Sequence, residues 1–298
     1  MPSPQGGRPV FLNLLVSLRP GQWTKNLFVF AALVFAQQLT DADAVVKAVI
    51  AFFVFCGLSS TVYLINDVLD REQDRRHPLK ALRPIASGAI SPTLALMTAT
   101  VVGSAALIVA SALGRQFFLT AAAYLVLLSA YSAFLKHIVI LDVLTIASGF
   151  TLRAAAGAAA IGVPISHWLL VCTTLLALFI ALSKRRHELT LLTERATDHR
   201  PILGDYTPYL LDQMISVVTA STLISYTFYT ISPETTAKFG TDLLSLTIPF
   251  PLYGIFRYLF LVHLREKGGS PAELVVNDRP LLACVALWAL SVILIIYQ

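Results

Sequence analysis

Residues 44–84 read AVVKAVIAFFVFCGLSSTVYLINDVLDREQDRRHPLKALRP. The first 23 residues of this stretch carry a single charge, Lys47, and are long enough to cross a bilayer as a helix, which takes roughly 20 apolar residues. The remaining eighteen carry nine charges, four acidic and five basic. A membrane span that ends abruptly in a dense charge cluster sets the class of the chain, and the composition agrees. Hydrophobic residues make up 56% of the 298 and charged residues 13%, where an ordinary soluble domain carries about 25% charged. Mean hydropathy is +0.74. These values exclude a soluble enzyme, a disordered chain and a disulfide scaffold. Cys56, Cys172 and Cys284 each lie inside an apolar run without C-x-x-C spacing, so they read as small core hydrophobes.

Polar breaks divide the chain into nine candidate spans, near 26–40, 44–66, 92–113, 116–135, 139–161, 166–184, 209–231, 241–262 and 280–298. The first is short, which leaves eight as the alternative. The runs are continuously apolar and rich in Leu and Ala, so the bundle is all-helical and not a barrel of alternating strands. Seventeen basic residues fall on one set of alternate loops, and Arg115 and Lys238 alone fall on the other. The positive-inside rule then puts the first set in the cytoplasm, with the N-terminus inside and the C-terminus outside a plasma (inner) membrane. Residues 1–25 offer no cleavage site and read as an interfacial helix leading into a single transmembrane domain over 1–298. Segments 67–91 and 185–208 form its cytoplasmic loops. The net charge of +5 suits lipid headgroups or a phosphorylated substrate; no nucleic-acid motif is present.

At 100° per residue, Asp67, Asp70 and Asp74 sit within about 60° of one another on a helix face. Three like charges on one stripe at a membrane-embedded helix end call for a compensating cation. Oxygen donors without His or Cys favour a hard ion, Mg²⁺ bridging to substrate phosphate. The bland alternative is a solvated loop whose aspartates pair with Arg71, Arg75 and Arg76. The bases that follow, Arg75, His77, Lys80 and Arg83, suit phosphate oxygens, with topology signalling as their alternative role.

The pattern Asn66-Asp67-x-x-Asp70-x-x-x-Asp74 resembles the first aspartate-rich motif of the UbiA superfamily of intramembrane prenyltransferases. Arg19-Pro20-x-Gln22-Trp23-x-Lys25-Asn26, Asp74-Arg75-x-His77-Pro78-x-Lys80-x-x-Arg83-Pro84, Leu135-Lys136-His137 and Lys184-Arg185-x-x-Glu188 narrow the resemblance to the decaprenyl-phosphate phosphoribosyltransferase branch of that superfamily. The resemblance implies a nine-helix bundle. It also implies Mg²⁺ held by Asn66, Asp67, Asp70 and Asp74, and transfer of 5-phosphoribose from phosphoribosyl diphosphate to a polyprenyl phosphate, toward cell-wall arabinan. It draws in Lys25, Tyr131, Lys136, Arg153, Lys184, Arg185 and Glu188 as substrate-binding residues. Tyr131 and Lys136 also read as an interfacial aromatic and a snorkelling lysine. Arg153, charged inside the fifth span, is placed toward the substrate phosphate, with Asp142 as a structural residue that shares its face without touching it. Lys184 and Glu188 could equally form an i, i+4 salt bridge.

The sequence departs from the superfamily in lacking a second D-x-x-x-D at the end of the sixth span, where Glu188 alone supplies a carboxylate. This puts a second carboxylate-held metal in doubt. It also counts against the runner-up, an aromatic prenyltransferase of the quinone or haem type. A transporter of lipid-linked substrates is a more distant alternative, for which Gly/Pro-broken spans in matching halves are absent. Assembly into a homo-oligomer is left open. Asp198, Glu194, Asp205 and Asp212 read as ordinary loop or cap residues.

Overall fold

The computed structural model describes residues 8–191, 201–264, 274, 275 and 277–298. Arg195, Arg200, Arg265 and Lys267 from the charge count, together with Glu194, Asp198 and part of the 185–208 loop, lie outside these residues. Among the described residues there is no strand. Eight helical stretches are long and apolar enough to span: Ala42–Leu69, Pro92–Ala112, Arg115–Ala133, Leu141–Ile161, His167–Thr190, Pro208–Ile231, Leu243–His263 and Arg279–Ile296. Their apolar faces point outward in quantity, as lipid-exposed helices require; Phe53, Val101, Ile108, Val126 and Val217 are all more than half exposed.

The candidate span near 26–40 takes a different form. After a short helix α1 (Val10–Ser17), the chain runs as an eleven-residue 3-10 helix, Pro20–Phe30, and a short helix α2, Ala31–Phe35. Residues along this segment meet helix α3 (Ala42–Leu69) in reverse order. Arg19 reaches Asp67, Trp23 reaches Ser60, Asn26 reaches Ser59 and Cys56, and Leu33 packs with Ala44 and Ala48. The segment therefore travels the length of α3. At about 2.0 Å per 3-10 residue and 1.5 Å per α residue, Pro20–Phe35 covers about 30 Å, one hydrocarbon thickness. Among the described residues, eight long helices are candidates to span, and this traverse, of similar length, stands as the ninth candidate that the sequence offers. The segment starts at Pro20 and so takes in residues 20–25, expected from sequence to belong to the interfacial helix, and its 3-10 pitch lets fewer residues cover the same depth. Close approach fixes its place, since a Cβ on Gly157 would lie 2.0 Å from the Val29 carbonyl oxygen.

The backbone gathers into two compact units. The first holds the described residues through Leu33, then Leu39–Lys136 and Leu152–Pro164. Its core stacks Phe55, Phe117 and Tyr124 against small residues such as Ala51, Ala106 and Ala156. The second holds Val34–Gln38, His137–Thr151 and the described residues from Ile165 onward, with Phe179, Tyr206, Leu211 and Tyr258 in its core. The three cysteines are free; Cys56 and Cys284 are buried and Cys172 is partly buried.

Candidate active site

Helix α3 ends at Leu69, Asp70 caps it with φ −90° and ψ 6°, and helix α4, Arg71–Arg76, continues almost at once. The junction stays hydrogen-bonded, Asp70 N to Asn66 O at 2.8 Å and Asp74 N to Asp70 O at 2.8 Å. The three aspartates are thus carried on a nearly continuous helical path. Asp67 and Asp74 are 2% and 3% exposed, burial that a carboxylate tolerates only with partners.

The partners are basic and come from distant sequence. Arg19 donates to Asp67 Oδ1 at 2.5 Å and lies over the Tyr63 ring at 4.8 Å. Arg83 bridges two carboxylates, donating to Asp67 Oδ1 at 3.2 Å and Asp74 Oδ2 at 2.5 Å. Lys136 donates to Asp70 Oδ1, and Asn66 Nδ2 donates to Asp70 Oδ2 at 3.1 Å. The aspartates do not pair with Arg71, Arg75 or Arg76 in the manner of a solvated loop. Arg71 and Arg75 instead donate to the carbonyls of Ile85 and Ala86 at 3.3 and 2.9 Å, and Arg75 also pairs with Glu72. Both thereby pin the chain to helix α5, Pro84–Ser87. His77 Nδ1 accepts the N–H groups of Leu79 and Lys80, and Lys80 opens the 3-10 turn Lys80–Leu82. Tyr131 lies in the last turn of the helix Arg115–Ala133.

Three carboxylates and an amide oxygen at one helix end are the donor types that a hard divalent cation takes. Among the described residues no three carboxylate, histidine or cysteine side chains are gathered closely enough to enclose an ion; each aspartate faces a basic group instead. A cation bound there must share these carboxylates with Arg19, Arg83 and Lys136.

On the helix Leu141–Ile161, the Arg153 guanidinium donates to Asn26 Oδ1 at 2.8 Å and to the Tyr124 hydroxyl at 2.7 Å, and lies 4.7 Å from the Tyr124 ring centre. Asn26 in turn meets Ser59, eight residues and about 12 Å from Asp67 along α3. Arg153 is therefore held deep in the first unit. Lys25 is the neighbour of Asn26 on the traverse.

The second unit carries its own buried charges. Arg185 donates to Asp142 Oδ2 at 2.9 Å and to Glu188; Lys184 is 3.8 Å from the same Glu188. The Lys184–Glu188 pair expected from i, i+4 spacing is present, but Arg185 is the closer partner. Tyr206 donates to Asp142 Oδ1 at 2.8 Å and accepts the Ile140 N–H at 2.8 Å. Burial pushes the Tyr206 phenol up to about 12, and the adjacent Asp142 adds to the rise, so it stays a donor. Asp212, an ordinary loop or cap residue by sequence, pairs with Arg186 at 2.5 Å and His263 at 3.3 Å.

Arg19, Asn26, Tyr124 and Tyr206 were not among the expected site residues. The motif around Arg19 was visible, but its partner lies 48 positions away. No local pattern reveals such a pairing.

A family model described as the UbiA prenyltransferase family matches residues 26–277. The chain is 33% identical to the decaprenyl-phosphate phosphoribosyltransferase of Mycolicibacterium smegmatis, covering 96% of this chain and 93% of that one. It is 31% identical to the enzyme of the same name from Corynebacterium glutamicum, covering 96% and 87%. A solved UbiA homolog from Archaeoglobus fulgidus, bound to GPP and Mg²⁺, is similar with a TM-score of 0.74 at 20% identity, over 96% of this chain and 100% of that one.

Proposed function

The chain belongs to the UbiA prenyltransferase family, and from that premise we propose that it transfers 5-phosphoribose from phosphoribosyl diphosphate to a polyprenyl phosphate, from the cytoplasmic face of the plasma membrane. The observation that carries this reading is similarity along nearly the whole chain to two curated decaprenyl-phosphate phosphoribosyltransferases. The product's use in cell-wall arabinan synthesis is part of the same proposal. Arg19, Arg83 and Lys136, gathered at the aspartate cluster, supply positive charge for the diphosphate as it departs. A divalent cation held by Asp67, Asp70 and Asp74, with Asn66 alongside, would neutralise further charge on that leaving group.

An oxygen of the lipid phosphate attacks the anomeric carbon of the ribose. The bond from that carbon to diphosphate breaks, and configuration at the carbon inverts. The attacking oxygen is already anionic, so no strong general base is required. The protein's contribution is alignment, which can supply several kcal/mol. The lack of a second D-x-x-x-D motif separates this reading from an aromatic prenyltransferase.

Incubation of the purified protein and Mg²⁺ with labelled phosphoribosyl diphosphate and a polyprenyl phosphate tests it. Label is expected in the organic phase, and EDTA is expected to abolish it. No transfer, together with prenylation of an aromatic acid from a prenyl diphosphate, refutes the assignment.

A further inference from the structure

We propose that the groove beside the N-terminal helix, bounded by Arg8, Leu12, Leu15, Val16, Arg19 and Pro20, seats the head and first isoprene units of the lipid phosphate acceptor. The proposal rests on the phosphoribosyl-transfer reading and says where one of the two substrates binds.

Helix α1 is apolar on both sides. Leu14 and Leu18 pack inward on Leu64, Ile85 and Ile90, while Leu12, Leu15 and Val16 are 45%, 38% and 48% exposed. An outward apolar face of this kind needs an apolar covering. It borders an open surface groove of about 560 Å³ shared with the turn Arg19–Gln22, too small for a whole polyprenyl chain. The rest of such a chain would run on into lipid.

The groove's two charged lining residues are both basic, Arg8 and Arg19. An apolar wall with only positive charge at its margins complements a single-chain lipid ending in phosphate. Arg19 also connects this groove to the aspartate cluster, since the same side chain pairs with Asp67. A phosphate bound in this groove therefore lies near the aspartate cluster, and in-line attack then requires the anomeric carbon to stand between it and the departing diphosphate.

The backbone at Arg19 points the same way. Its φ is +53°, a left-handed conformation that a non-glycine residue adopts at some cost. Two bonds from α3 hold the turn in place: Ser60 Oγ donates to the Leu18 carbonyl at 2.8 Å, and Trp23 Nε1 donates to Ser60 Oγ at 3.1 Å. Strain held in this way by surrounding structure is a mark of functional positions.

The test uses the full chain in nanodiscs. A polyprenyl phosphate with a diazirine on its first isoprene unit, photolysed without donor, is expected to label residues 8–22. Unlabelled polyprenyl phosphate should compete and phosphatidylglycerol should not. In turnover, Leu15→Trp, which fills the groove, and Arg8→Gln are each expected to raise KM for the lipid phosphate about tenfold, with KM for phosphoribosyl diphosphate within about twofold. Label elsewhere, equal competition by phosphatidylglycerol, or two KM values that stay fixed or move together overturns the proposal. Photolabelling needs no donor. A chain that takes label in this segment but transfers no phosphoribose would therefore refute the reaction assigned above while leaving the groove assignment standing.

Discussion

Asp67 is the most heavily committed residue of the aspartate cluster, since one oxygen accepts from both Arg19 and Arg83. Neutralising it leaves two cations facing an amide and removes a carboxylate from the set suited to a divalent ion. Asp67→Asn and Asp70→Asn are each expected to lower kcat/KM by about two orders of magnitude or more, while the protein elutes as a folded species in detergent. Retained turnover in both at limiting Mg²⁺ refutes the metal-site assignment. Arg185 is expected to behave differently. It is 2% exposed and bonded to Asp142, which is fully buried. Arg185→Gln removes the cation paired with that carboxylate while Tyr206 still donates to it, at a cost of about 3 kcal/mol, and the double change with Asp142→Asn should recover much of the loss. Thermal unfolding in detergent checks both variants. A melting temperature unchanged by Arg185→Gln, with only the KM for phosphoribosyl diphosphate raised, would show that Arg185 binds substrate instead.

Among the elements, the traverse Pro20–Phe35 departs furthest from regular structure. A 3-10 run of eleven residues is long for its kind, because its hydrogen bonds are poorly aligned. Here it is held by side-chain bonds to α3 and by close contact of Val29 with Gly157. Gly157→Ala would place a methyl carbon against a backbone carbonyl that cannot swing aside. It is expected to cost about 1–3 kcal/mol and to lower the unfolding temperature. The glycine at 103 provides the control. The nearest atom to a Cβ there is in the Thr61 side chain, at 3.2 Å, so Gly103→Ala should cost less. Equal effects would mean that the traverse is more loosely seated than this contact implies.

Across the whole molecule, nine crossings place the two ends of the chain on opposite sides of the membrane, whereas eight place them together. With the N-terminus cytoplasmic, as the distribution of basic residues implies, a protease-cleavable tag at the N-terminus is expected to be cut only from the cytoplasmic side. A tag at the C-terminus should be cut only from the other side. Cleavage of both from one side would count against the traverse as a crossing.

The class of the protein, its helical bundle and its principal carboxylates were all legible in the sequence, because each is a local property. Twenty apolar residues in a row must hydrogen-bond to themselves in lipid, and three aspartates spaced by three and four share a helix face wherever that helix lies. Which charges compensate one another was not legible. Asp67 meets Arg19 across 48 positions, Asp70 meets Lys136 across 66, and Arg153 meets Asn26 across 127. Many basic residues were available, and only the packing of helices selects among them. The tertiary structure alone also showed that the first candidate span runs along α3 as a 3-10 helix. That choice depends on Gly157 and the polar face of α3 admitting a narrow segment, which no periodicity within residues 20–35 encodes.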